Sequence, residues 1–523
     1  MMKNFVERSL ALCCVGAFLS SGMAIAQRAP AGNWAMVGND PGQTGQQTAE
    51  REISPDSIAQ FKFLWKIKLG EGSREPQSFS EPLLAPRLIN AQGFKDIVFG
   101  SSSNTLYAVD SELGSMIWTK KFDTGAAAPA GCATSSLGLT MEPPVVINFS
   151  ARPAAGAPRP ARPVQAGPLA PSERRLGVPA GGGGFGLKGI YVLTSDGALH
   201  EQVLTTGADF APSTKFLSGA NASAFGLNMV GKTIYTAVGR GCGSVPNGVY
   251  AIDLDNSSDP VHSYGTSKVR TLGLPSIAAD GTAFVVTGAG TSTGEVHANS
   301  VVALDKDMKV KDWYTPAGGA SNIEHVSPVT FTDKGRELVI APGRDGSFVL
   351  LDAASLGGAD HHTPLSTTAS YFKGKEKHVW DGFATAEGKD GSVWVFASLS
   401  GAITTKDSAA KMNGATTHGG IVAFRVEDGD GKPVLTPAWI SHDMVNPAPP
   451  RFANGVVVAL SSGNATTHAQ LYVLDAATGA EIYASKDAVP TYARFSGVSI
   501  GDGHAFFTDH ENTLYSFGIA MIH

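Results

Sequence analysis

Two stretches carry side chains that could do chemistry. In GAGTSTGEVHANSVVALD (Gly288 to Asp305), a carboxylate (Glu295), an imidazole (His297) and an amide (Asn299) stand two residues apart. Either of the first two could act as a base, although a lone Glu or His in a loop is more often an ordinary surface residue. In IAPGRDGSFVLLD (Ile340 to Asp352), Arg344 and Asp345 sit side by side between glycines, where a solvated turn is the plain alternative. His361 and His362 lack a third ligand at recognisable metal spacing, and an exposed turn is the favoured reading. GAGTSTG is rich in glycine but opens no helix, which argues against a phosphate cradle. The sequence contains no nucleophile elbow, no paired-carboxylate motif and no CxxCH for covalent haem.

These residues depend on the elements around them, and those elements repeat. TLYAVDSELGSMIWTKKF from Thr105 alternates as a strand, turns at Gly114 and alternates again; LYVLDAATGAEIYAS from Leu471 does the same around Gly479. Related hairpins begin at Ile190, Val249, Val301, Phe348, Ile421 and Leu514. A further strand pair precedes each, as in DGTAFVVTG, GRELVIAPG, GSVWVFAS, NGVVVALSSG and GHAFFTD. Each unit is a four-stranded antiparallel meander spaced at ~35–60 residues, the signature of an all-β propeller with eight blades. The last copy, LYSFGIAMIH, is one strand short, and FKFLWKIKL (Phe61 to Leu69) at the other end alternates and carries Trp65. The expectation is a ring closed by pairing that N-terminal strand with the last blade, which covers exposed edges. Trp118, Trp313 and Trp439 fall near the ends of units, where packing between adjacent blades is their default role.

The 523 residues include 62 Gly and 30 Pro and are only 16% charged, which suits short strands and tight turns rather than helices. A formal charge of −6 offers no footprint for nucleic acid or an anionic membrane. Residues 1–26 read as a signal peptide, with Lys3 and Arg8, the apolar run SLALCCVGAFLSSG and an Ala24-Ile25-Ala26 cleavage signature. A periplasmic or secreted location follows, and no later apolar run is long enough to span a bilayer. Residues 27–60 form a mostly polar lead-in that should pack across the ring, and 61–523 form the propeller. Within its second blade, 151–186 is a Pro/Ala/Gly/Arg insertion read as a disordered loop. An oxidising compartment permits a Cys132–Cys242 bridge closing about 110 residues, worth roughly 4–5 kcal/mol on a chain-entropy model; two buried thiols are the alternative.

The LYVLDAATG hairpin in an eight-fold ring resembles the repeat of pyrroloquinoline quinone (PQQ) propellers, over nearly all of the chain outside the insertion. That superfamily includes the quinoprotein alcohol dehydrogenases and the outer-membrane assembly-factor propeller. The resemblance implies PQQ at the ring mouth, a cation beside its carbonyl, a carboxylate to take the alcohol proton and an aromatic floor. Arg344 holds the place of the family's cationic residue, two before a Gly, with Asp345 beside it. FVVTGAGTSTGEVHANSVVALD is similar to the family's TGNG…NSVVALD segment; where the resemblance expects the acid stand His297, Ala298 and Asn299, with Glu295 the nearest carboxylate, so Glu295 or His297 is the candidate base and Asn299 a candidate cofactor contact. The family's Asn ligand to Ca²⁺ is replaced by Ala289, which has no side-chain oxygen, so a standard Ca²⁺ site is not implied. None of the seven Trp lies just before Ala289 as a floor, and the adjacent-cysteine disulfide ring of many relatives is absent.

Two functions stay open. One is a PQQ-dependent oxidoreductase acting on an alcohol or polyol, passing electrons to a separate cytochrome. The other is a non-catalytic scaffold whose rim binds an envelope protein or glycan.

Overall fold

A computed structural model of the chain describes residues 32–71, 79–90, 93–124, 136–142, 189–219, 224–239, 243–256, 258, 260–317, 326–343, 346–372, 379–404, 410–493 and 497–520. Residues 1–26, expected to be a signal peptide, the 151–186 insertion, Cys132, Cys242, Arg344 and Asp345 lie outside the described residues. Within them, the chain forms eight antiparallel sheets, each built mainly from four consecutive strands. The first strands of neighbouring sheets touch one another and form the inner wall of a propeller ring, while the fourth strands lie outermost. No helix among the described residues is long and apolar enough to cross a membrane.

Blade 1 comprises Leu83–Asn90, Gly93–Ser102, Thr105–Asp110 and Met116–Lys121, so the TLYAVDSELGSMIW hairpin is its outer half. In Thr105–Asp110 both alternating side-chain sets are buried, because each sheet is covered by a neighbour on either face. Blade 2 departs from the reading of the sequence. Its strands are Gly138–Met141, Gly189–Leu193, Ala198–Val203 and Asp209–Lys215, so the hairpin at Ile190 joins its second and third strands. The outer hairpin is ALHEQVLTTGADF, one strand later. Blade 6 adds a short fifth strand, Lys411–Met412, parallel to Trp439–Ile440.

Closure occurs as the sequence predicts. Lys62–Lys68 pairs antiparallel with Thr513–Gly518 and completes blade 8 beside Ser499–Gly501 and His504–Thr508, with a bulge between Phe63 and Trp65.

Three outer-strand tryptophans show why the hairpin motif keeps its glycine. The indole N–H of Trp65 donates to the Ser111 carbonyl (2.8 Å), Trp118 to Leu204 (3.0 Å) and Trp439 to Ala476 (2.9 Å), each across to the turn of the next blade. Each ring rests where a side chain would otherwise stand. A Cβ on Gly114, Gly207 or Gly479 would lie 2.6, 2.6 or 2.4 Å from the tryptophan. Those glycines also have left-handed φ values of 63, 67 and 69°. Gly479→Ala is therefore expected to cost about 2–5 kcal/mol, read as a lower urea midpoint, because it meets both the φ penalty and the buried ring. Gly231→Ala serves as control: φ is +57°, but the added Cβ meets nothing within 4 Å. Equal losses in the two variants would show that the tryptophan seat contributes nothing.

Between Gly32 and Glu50 the lead-in makes one circuit of the inner wall. Trp34 exchanges backbone hydrogen bonds with Leu84 of blade 1, and the Ala35 carbonyl accepts from Met141 of blade 2. The Pro41 carbonyl accepts from the Asn228 amide of blade 3 and from Ile277 N of blade 4. Gly42 meets Thr330 of blade 5, Thr44 meets Thr385 of blade 6, Gly45 and Gln47 meet Phe452 of blade 7, and the Gln47 amide reaches Ile500 of blade 8. Backbone groups facing the axis are thus paired by a single segment. Inside this circuit Glu81 and Arg451 form a buried ion pair beside Trp34.

Candidate functional site

Antiparallel strands place the second-to-third connections of all blades at one end of the ring. Residues 287–300 are that connection in blade 4, between Ala283–Val286 and Val301–Leu304. The loop is tied at its base by Thr287, whose hydroxyl donates to the His297 carbonyl (2.6 Å) and accepts from Ser300 N (3.0 Å). Asn299 N donates to the Gly288 carbonyl at 2.8 Å. A tight turn, Thr293 to Val296 with Gly294 at φ 58°, forms the tip.

Of the residues singled out above, this loop brings Glu295 and His297 to the outer part of the blades. The Tyr264 hydroxyl, from the fourth strand of blade 3, donates to the Glu295 carbonyl at 2.9 Å, while the Glu295 side chain is exposed. The His297 ring stacks on Trp313, in the fourth strand of blade 4, at 4.0 Å and 14°. Trp313 in turn stacks on His361 of blade 5 at 3.7 Å and 14°. His361 Nδ1 lies 3.0 Å from Asp312 Oδ1, and His362 Nδ1 lies 2.7 Å from the Thr315 carbonyl. Burial, followed by the nearby His361, pushes the His297 imidazole down, which favours its neutral, proton-accepting form.

The stack also explains why Trp313 differs from the other docked tryptophans. The turn after Phe348–Asp352 reads AASLGG rather than AATGA, and His361 supplies the surface on which the indole rests.

Asn299 behaves differently from its two neighbours. Its Oδ1 is buried and has no hydrogen-bond partner among the described residues, on a backbone held at φ 51°. Ala289, at the position of the family's metal ligand, is exposed and offers no side-chain oxygen. The connection that holds Arg344 and Asp345 begins and ends at the same end of the ring, where Gly343 N donates to the Ser347 carbonyl at 2.9 Å.

One further pair on this end was not found from the sequence. Asp443 accepts from His418 N (2.7 Å) and the Thr417 hydroxyl (2.8 Å), and its Oδ2 lies 2.6 Å from His418 Nδ1. Burial works to raise the Asp443 carboxyl, but the hydrogen bonds from His418 and Thr417 outweigh it and hold it low. The partners are 25 residues apart in connections of blade 6, a separation without a motif to announce it.

No family model matches the chain, and no curated protein matches it. Its fold is similar to solved structures. A quinohemoprotein alcohol dehydrogenase from Comamonas testosteroni matches at 13% identity and a TM-score of 0.54, over 94% of this chain and 81% of that one. The quinohemoprotein alcohol dehydrogenase ADHIIG from Pseudomonas putida HK5 matches at 13% and 0.55 over the same shares. A europium-containing methanol dehydrogenase matches at 12% and 0.53, over 93% and 98%. At these identities the likeness is one of fold.

Proposed function

We propose that the chain is an exported, quinoprotein-like oxidoreductase of alcohol or polyol type, working at the ring end that carries residues 287–300 and 343–347. The observation that carries this reading is the orphaned Asn299 Oδ1, a buried acceptor on the segment that resembles the family's cofactor loop. A buried acceptor without a donor costs free energy, and a bound group that satisfies it recovers that cost. Arg344, Asp345 and Asn299 are the residues that would hold PQQ, which supplies a quinone able to accept a hydride. His297, kept neutral by its surroundings, and Glu295 are the proton acceptors for the substrate hydroxyl. Ala289 does not fit a Ca²⁺ ligand set, so no metal takes part in this reading. Electrons leave to a separate cytochrome, and the signal peptide directs the chain to the periplasm or beyond.

A specific observation favours the second reading, a non-catalytic scaffold that binds an envelope protein or glycan. Glu295 and His297 are anchored over the outermost strands of blades 3 and 4, whereas the first strands line the axis.

Calorimetry with PQQ, with and without Ca²⁺, together with dye-linked alcohol oxidation, separates the two. The oxidoreductase reading expects PQQ binding that Arg344→Ala weakens by roughly ten- to a hundredfold, with the melting curve almost unchanged. No binding to the wild-type protein at high micromolar PQQ overturns it and leaves the scaffold, to be pursued by crosslinking rim partners in the envelope.

A further inference from the structure

The contacts that fix His297 leave its ring nitrogens idle. The imidazole lies flat on Trp313, and the far face of Trp313 lies flat on His361, so the indole is the middle layer of three. The rest of His297 is held by its main chain. Its carbonyl accepts from the Thr287 hydroxyl, and its N–H points to the Tyr264 hydroxyl at 3.4 Å. Among the described residues, neither ring nitrogen of this half-buried histidine has a hydrogen-bond partner, and neither is shut off from solvent.

His361 is fixed in the opposite manner. Its Nδ1 faces two acceptors, Asp312 Oδ1 at 3.0 Å and the Trp313 carbonyl at 3.2 Å, and therefore carries the hydrogen. Asp312 is itself pinned, with Oδ1 accepting from Trp313 N and Oδ2 from Leu356 N, each at 2.8 Å. A histidine anchored by a hydrogen bond gives up one nitrogen to its anchor. One anchored by its flat face keeps both.

We propose that His297 is a two-ended proton shuttle to bulk solvent, with Trp313 and His361 as its positioning residues, a role that rests on the oxidoreductase reading above.

Only a proton moves in this step. Neutral imidazole takes the substrate's hydroxyl proton at its bare nitrogen, directly or through water, and then loses the hydrogen on its other nitrogen to buffer. The ring returns to neutral as the other tautomer, and exchange with water resets it. The position over the outer strands, which keeps His297 away from the axis, suits delivery to bulk. Its surroundings favour the form that accepts. Burial and then His361 push the imidazole down, against the pull of Glu295 on the same loop. Of the other groups at this seam, Asp312 is engaged by His361 and burial keeps the Tyr264 hydroxyl protonated. Arg270, on the connection beside the loop, turns its guanidinium to the Gly239 carbonyl.

The test has two arms, both on the full chain. In the first, protein incubated with PQQ oxidises a primary alcohol in dilute buffer, followed with a dye. His297→Ala is expected to lose about ten- to a hundredfold in kcat, and added imidazole to restore part of it by replacing the missing relay. Unchanged turnover in His297→Ala, or a loss that imidazole leaves untouched, overturns the shuttle. In the second arm, nuclear magnetic resonance of histidines labelled at Cε1 reads the His297 titration without cofactor or substrate. His361→Asn, which suits the left-handed φ of 58° at that position, is expected to move the midpoint up. Trp313→Leu should do the same by uncovering the ring, and Trp313→Phe should return it towards the parent value. A midpoint that His361→Asn leaves in place overturns the positioning role. Absence of alcohol oxidation by the wild-type protein sinks the oxidoreductase reading and the shuttle with it. Normal oxidation with an unaffected His297→Ala variant sinks the shuttle alone, so the two failures are distinguishable.

Discussion

Deleting Lys62–Lys68 is expected to abolish the stable closed ring. The strand supplies six register pairs to Thr513–Gly518, and its loss leaves that strand as an unpaired edge open to other chains. It also removes Trp65, the ring that fastens blade 8 onto the Ser111–Gly114 turn of blade 1. Trp65 is half-buried, so its loss costs less than the about 3–5 kcal/mol of a fully buried tryptophan, and the lost ladder adds to it. The total approaches the ~5–15 kcal/mol that holds a typical domain together. Size-exclusion chromatography should show aggregate in place of the parent's peak, and any remaining folded protein should melt well below the parent. An unchanged melting curve would refute closure by this strand.

Glu81→Ala is expected to produce the largest loss of any single substitution near the axis. Glu81 Oε1 accepts from the Trp34 indole (2.7 Å) and from Gly38 N (3.0 Å), and Oε2 pairs with Arg451. Arg451 also donates to the Val498 carbonyl (2.8 Å) and the Pro450 carbonyl (3.1 Å). Their side chains are 3% and 6% exposed, for Arg451 and Glu81 respectively. Removing the carboxylate leaves a guanidinium charge in the interior and two further donors unpaired, at about 3–5 kcal/mol. The double variant Glu81→Leu/Arg451→Met should recover a substantial part, because the stranded charge goes with its partner. Urea midpoints for the four proteins of the cycle decide the matter. A Glu81→Ala loss below about 1 kcal/mol would show that water reaches the pair.

The blades were legible because their information is local. Alternation and a turn glycine mark each hairpin, and the missing strand after Leu514 pointed directly to Phe61–Leu69. Blade 2 misled for an equally local reason. Ser195-Asp196-Gly197 makes a convincing turn, but it joins the second and third strands, and in the outer strand Ala211 stands at the register position that Trp118 holds in blade 1. The path of the lead-in left no trace in side-chain pattern, since most of its bonds to the wall are made by main-chain atoms. In the site, the order of Glu295, His297 and Asn299 was readable, but their directions were not. Which side chain turns to the rim depends on Tyr264 and Trp313, residues of two other outer strands. The His418–Asp443 pair is likewise a product of two separate connections meeting.

The circuit of Gly32–Glu50 also bears on time. The Gln47 amide meets a carbonyl 453 residues later in the chain, and Lys62–Lys68 waits for a partner almost as remote. The segments made first are therefore the last to be satisfied. Contacts of such high sequence separation make for slow folding, and until Ser499–Gly518 exists the early blades have neither hub nor closing strand. Every earlier intermediate exposes open edges, the condition in which β-rich chains associate wrongly. A chain arranged in this way gains from being kept unfolded until its C-terminus is available, as post-translational export would keep it, and gains little from folding as it emerges.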